Sequence, residues 1–137
     1  MSEHDEQVKL FQWARMSEGR WPELALLFAI PNGGKRHVAV AVKLKAEGVK
    51  AGVPDICLPV ARGRYHGLFI ELKHGKNRTQ TIQRRWLADL GMNGYCARVA
   101  HEFEGARALI EDYLTDLVSD GPAGGVAMVR EAIDGKR

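Results

Sequence analysis

Two short apolar runs in the middle of the chain restrict its fold more than any other feature. Asp55 to Val60 is bounded by Pro54 and Pro59, and His66 to Lys73 lies just beyond Gly63. Runs of this length, fenced by Pro and Gly, suit strands better than helices. Joined through Gly63, they predict an antiparallel hairpin. A pairing centred on Gly63 sets Asp55 directly opposite Glu71, provided that no bulge intervenes. In a strand, alternate side chains share a face. Glu71 and Lys73 therefore point one way, and Leu72 points the other way into apolar packing.

The rest of the chain supplies elements to surround this hairpin. Glu3 to Met16 reads as a helix, with Val8, Phe11 and Ala14 on one face. Leu24 to Ile30 is a continuous apolar run that predicts a buried strand, stopped by Pro31-Asn32-Gly33-Gly34. His37 to Glu47 reads as a helix that Gly48 ends. Thr79 to Leu90 is a helix with Ile82, Trp86, Leu87 and Leu90 inward, and Tyr95 to Ala100 a further strand. Glu102 to Val118 is a helix in which Phe103, Ala106, Ile110, Tyr113, Leu114 and Leu117 follow the 3.6-residue period. This order predicts an α/β fold, a mixed central sheet of about four strands flanked by helices. Residues 1–118 form the expected domain. Residues 119–137 form a Gly-rich C-terminal tail, flexible or carrying a short helix.

The 137 residues fit one domain able to bury a core without staples. No apolar run approaches the roughly 18 residues of a membrane span. Met1 to Gln7 is polar and acidic, unlike a secretory signal. The two cysteines, Cys57 and Cys96, lie in apolar stretches and read as reduced core residues of a cytosolic protein. The net charge is +3, unevenly spread. Lys35, Arg36, Lys43, Lys45 and Lys50 form one basic segment, and Arg62, Arg64, Lys73, Lys76, Arg78, Arg84 and Arg85 another. Glu102 to Asp120 is acidic. A basic middle of this kind offers a face to a polyanion, although a solvated surface has the same composition.

The hairpin carries the chemistry. Directly opposed residues have Cβ atoms about 4.5–5.5 Å apart, and two carboxylates at that spacing repel. A divalent cation offsets the repulsion; Mg²⁺ prefers one or two carboxylates together with water and phosphate oxygens. Lys73, on the same face, is placed to position a water or to neutralise charge developing on phosphorus. Asp55, Glu71 and Lys73 together are what phosphodiester hydrolysis requires. Asn32, Lys35 and Arg36, in a Gly-containing loop before a helix, suit phosphate binding. Lys76, Arg78, Arg84 and Arg85 suit contacts along a DNA backbone. His4 and His74 sit beside these groups and read as solvent-exposed. Trp13 and Trp86 lie at spacings that favour core packing over base stacking.

The string Gly48-Val49-Lys50-Ala51-Gly52-Val53-Pro54-Asp55, followed by Gly67-Leu68-Phe69-Ile70-Glu71-Leu72-Lys73, resembles the PD-(D/E)xK nuclease superfamily, and within it the VRR-NUC (virus-type replication-repair nuclease) family. Glu3-His4 and Gln7, Pro31 to Arg36, Gln83 with Trp86, and Gly94-Tyr95 match the family in order, from about residue 3 to residue 117. The resemblance implies a restriction-endonuclease-like core and Mg²⁺- or Mn²⁺-dependent cleavage of DNA. It implies Asp55, Glu71 and the Leu72 carbonyl as metal ligands, Lys73 as the catalytic lysine and Gln83 as a supporting residue. The acidic residue of the first helix is Glu3 or Glu6. Glu3 is preferred because it shares a helical face with Gln7. Stand-alone relatives of this size are similar to phage-encoded proteins that dimerise and act on branched DNA such as Holliday junctions. That implies a homodimer working in the cytoplasm of a bacterial host. Cleavage of flaps or single strands, and a non-catalytic DNA-binding module on the same fold, are the alternatives.

Overall fold

The computed structural model describes residues 1–31 and 37–118. Helix α1 spans Glu3–Met16, strand β1 Phe28–Ala29 and helix α2 Val38–Ala46. They are followed by β2 (Ile56–Leu58), β3 (Leu68–Lys73), α3 (Thr81–Met92), β4 (Cys96–His101) and α4 (Glu102–Leu114). The four strands form one mixed sheet in the order β1-β2-β3-β4, with β1–β2 and β2–β3 antiparallel and β3–β4 parallel. The expected α/β architecture is present.

The hairpin has the expected register. Ile56 pairs with Ile70, Cys57 with Phe69 and Leu58 with Leu68, so continuing it by one residue brings Asp55 opposite Glu71. Alternation along β3 divides the molecule into two cores. Leu68, Ile70 and Leu72 face α1 and α4, where Leu10, Ala14, Ala106, Ile110, Tyr113 and Leu114 are buried. Phe69 faces α3, where Leu87 is buried against Ala97. Glu71 and Lys73 share that second face. Cys57 and Cys96 are free thiols, buried as expected, and burial pushes the Cys57 thiol up to about 11.

Four expectations are corrected. The run from Leu24 to Ile30 is not one buried strand. Pro22–Leu26 forms a 3₁₀ turn, with Pro at its start, and only the exposed Phe28–Ala29 pairs with β2. An apolar run does not by itself distinguish a turn of helix from a strand. On α1 the inward stripe is Glu6, Leu10 and Ala14, and Val8 is exposed. Ile82 on α3 is likewise exposed, and α4 ends at Leu114, leaving Leu117 in solvent. Asp116, at φ +58, marks the end of that helical path.

Junctions set the remaining geometry. α1 starts with a capping box, the Ser2 hydroxyl accepting from Asp5 N–H while the Asp5 carboxylate accepts from Ser2 N–H. α2 forms as expected, but none of its side chains is buried. β4 runs directly into α4 with no intervening loop, and Glu102 at the junction has φ +60. No described helix is long and apolar enough to cross a membrane. The expected tail, 119–137, lies outside the described residues.

Candidate active site

The carboxylate pair forms because two strand ends meet. Pro54 ends the loop before β2, and Asp55 follows it at the mouth of the sheet. The Asp55 carboxylate accepts the Leu72 N–H at 2.8 Å, which orients it across the end of β3. Glu71, one position away, is only 2% exposed. Its Oε2 accepts from the Gln83 amide at 3.2 Å and lies 3.4 Å from Lys73 Nζ. Burial first, and then the Asp55 carboxylate beside it, push the Glu71 carboxyl up to about 8, against the opposing pull of Lys73.

Gln83 is the hinge pin of this arrangement. It is the third residue of α3, and its Oε1 accepts both the Gln80 N–H, at 2.8 Å, and Lys73 Nζ, at 3.1 Å. One amide thus closes the helix cap and joins the lysine to the glutamate. Buried ion pairs of this kind add little net stability, because desolvation offsets the attraction. Glu71 and Lys73 are nevertheless both buried.

The donor set fits a hard divalent cation. Glu71 Oε1 is buried and has no hydrogen-bond partner among the described residues. A buried carboxylate oxygen without a donor is costly, and native structures rarely leave one so. It lies next to a second carboxylate on the same face. Oxygen ligands from two acidic side chains are the chemistry that Mg²⁺ or Mn²⁺ takes.

A model of the VRR-NUC domain matches residues 2–103. The chain belongs to the VRR-NUC family. A solved structure described as a "VRR_NUC domain protein" superposes with a TM-score of 0.72 at 32% sequence identity, covering 84% of this chain and 89% of that one. No curated protein matches the sequence. VRR-NUC is a nuclease family, so the paired carboxylates, the lysine and the supporting glutamine sit in a nuclease-type fold.

Within this VRR-NUC domain the other expected site residues lie at varying distances from the centre. The structure brings Asp55, Glu71, Lys73 and Gln83 together, with the Leu72 backbone tied to Asp55. Glu3 reaches the turn after β3, where Asn77 donates to its carboxylate at 3.4 Å. Glu6 instead accepts the Phe103 N–H at 2.8 Å, and its carboxylate serves the start of α4. Lys76 and Arg78 are exposed in the turn between β3 and α3. Arg84 folds back on Thr79 and Thr81 at the start of α3. Asn32, Lys35 and Arg36 lie outside the described residues.

A second cluster falls outside the sequence expectations. Ligand-type atoms of Glu6, His74 and Glu102 lie within 4.8 Å of one another. Glu102 accepts from the Gly75 N–H at 2.8 Å and pairs with His74 Nδ1 at 2.6 Å. The Gly75 N–H and then His74 hold the Glu102 carboxyl below the usual carboxylate range. A cation here would compete with backbone donors that the fold already uses. The cluster fastens α1, the end of β3 and α4 to one another, just beyond Lys73. The sequence signal for it is Glu6 at the same helical spacing as Leu10 and Ala14, a charge on an apolar stripe.

Proposed function

We propose that this VRR-NUC protein is a Mg²⁺- or Mn²⁺-dependent, structure-selective DNA endonuclease that acts as a homodimer on branched DNA such as a four-way junction. The observation that carries this reading is the partnerless, buried Glu71 Oε1 beside Asp55, with Lys73 and Gln83 bonded around it. Asp55, Glu71 and the Leu72 carbonyl would hold the cation. When bound, it supplies charge stabilisation at the scissile phosphate and activates water. Lys73, held at 3.1 Å by Gln83, presents its ammonium to the phosphate and stabilises the charge that develops there. Gln83 keeps Glu71 and Lys73 in register, and Glu3 supports the turn that leaves β3. Lys76, Arg78 and Arg84, with Asn32, Lys35 and Arg36, contact the DNA backbone. A dimer suits two symmetric cuts at a junction, since each cut needs its own site.

The test is cleavage of a labelled four-way junction and a matched linear duplex in Mg²⁺ or Mn²⁺, with Asp55→Ala and Lys73→Ala beside the wild type. Paired cuts at the branch are expected. Each variant should lose on the order of 10³-fold in rate while keeping its circular dichroism spectrum. Equal cutting of both substrates would remove the junction selectivity and leave the nuclease. Folded wild-type protein that cuts no DNA in either metal would overturn the enzymatic reading.

A further inference from the structure

A groove of about 370 Å³ is walled by Ile30, Pro31, Val49, Val53 and Trp86, with Lys50 among its lining residues. Two separate paths along the chain tie it to the site. Val53 precedes Asp55 by two residues, and the Ile30 N–H donates to the Asp55 carbonyl at 2.7 Å. Trp86 follows Gln83 by three residues on α3 and so lies on a neighbouring part of the same helical face, about 4.5 Å or slightly less than one turn further along. The amide of that same Gln83 bonds Glu71 and Lys73.

Trp86 is only partly buried, although its spacing suggests the core. Its indole is firmly held. The Nε1–H donates to the Ala51 carbonyl at 3.1 Å. Gly52, at φ +87, brings the preceding loop hard against α3; a Cβ there would stand 2.8 Å from Ile82 Cγ1 and 3.1 Å from Trp86 Cδ1. Trp86 also lines a second groove, of about 310 Å³, with Leu90 and Tyr95. The ring therefore combines a satisfied polar edge, a fixed position and apolar surface left open to solvent.

Resting on the nuclease reading above, we propose that this groove is a subsite for one unpaired nucleobase adjoining the scissile phosphate, with Trp86 as its stacking platform and Lys50 paired to its backbone phosphate. An apolar slot beside a cation matches a nucleotide, which has a flat aromatic part and an anionic part. Aromatic side chains bind any base through its π-face, so the subsite is tolerant of sequence. Bases in continuous duplex are covered by their neighbours and cannot enter. A branch or frayed end offers a base that can, and the groove thereby favours interrupted DNA.

The experiment uses forked DNA carrying 2-aminopurine singly at each unpaired position next to the fork. Fluorescence on binding is measured in Ca²⁺, and cleavage of the same DNA in Mg²⁺ or Mn²⁺. Emission at one position should fall on binding wild-type protein, in part with Trp86→Phe, and not with Trp86→Ala. The preference for fork over linear duplex should drop about tenfold in Trp86→Ala, the scale of one lost base stack. Lys50→Ala should weaken binding without moving the quenched position. Cleavage with no change of emission at any position would overturn the subsite and keep the nuclease; this outcome needs the wild-type protein alone. Quenching at one position without cleavage in either metal would keep the subsite and remove the catalytic reading.

Discussion

The two faces of the sheet are built to different ends. The face toward α1 and α4 is apolar almost throughout, with Leu10, Ile70, Ile110 and Tyr113 fully enclosed. The face toward α3 has a small apolar patch around Leu87 and Ala97, and beside it a buried glutamate and lysine. One strand serves both, because successive side chains of β3 alternate between them. Stability is concentrated where nothing reacts, and the face that holds the charges relies on the other to keep its geometry. Net stabilities are only about 5–15 kcal/mol, so a buried glutamate without its full set of partners is tolerable only with such support.

Substitutions can break or sharpen this division. Ile110→Ala should lose about 2–5 kcal/mol in urea denaturation. At a temperature where it stays folded, its cleavage rate should be close to wild type. A large loss of activity in the folded variant would show that the two faces are not separable. On the proposed function, Gln83→Ala should do the reverse, lowering turnover about 10- to 100-fold, the scale expected for a group that supports a metal ligand. Its stability should fall by only about 1 kcal/mol, from the opened cap of α3.

A pH titration of the metal-free protein isolates the charged face. With its carboxyl raised to about 8, folded Glu71 holds a proton that the unfolded chain has already lost above its ordinary value of 4.5. Stability should therefore decline as pH rises from about 5 to 8 and level off beyond. Each pH unit across that window corresponds to about 1.4 kcal/mol at most, so a fall of at least about 1 kcal/mol is expected with chelator present. Glu71→Gln should flatten the profile, and a flat wild-type profile would contradict the upward shift that burial and Asp55 impose on Glu71. The smallest effect concerns Glu6→Ala, which removes the acceptor for the Phe103 N–H. It should cost about 1 kcal/mol, as the loss of a helix cap does, with cleavage nearly unchanged if Glu3 is the acidic residue serving the site.

The hairpin is legible because its limits are written in residues with strong backbone preferences: Pro54, Pro59 and Gly63 leave little freedom of register. The register sets Asp55 opposite Glu71 with Lys73 on the same face, and the family resemblance is what reads the three as a nuclease site. Gln83 comes from the family resemblance, since nothing in a helix sequence announces a bond across to a strand. β1 is misread from sequence because apolar residues satisfy a 3₁₀ turn as readily as a strand. The inward face of α1 is misread because Glu6 breaks the hydrophobic pattern, and its reason for being buried lies at Phe103, far along the chain. Trp86 reads as core because helical spacing reports a face, while the amount of cover depends on the loop from Gly48 to Asp55 that meets it.

The seamless passage from β4 into α4 has a consequence for how the chain tolerates changes of length. With no loop between His101 and Glu102, there is no slack to absorb an extra residue. One inserted residue would turn the inward stripe of α4 by about 100° about its axis. Ala106, Ile110 and Tyr113 would leave the sheet, and the Glu102 carboxylate would leave the turn after Lys73. Length variation among related sequences should accordingly avoid this joint and collect at the exposed hairpin tip around Gly63 and Arg64, and a reporter peptide grafted at that tip should leave the domain intact.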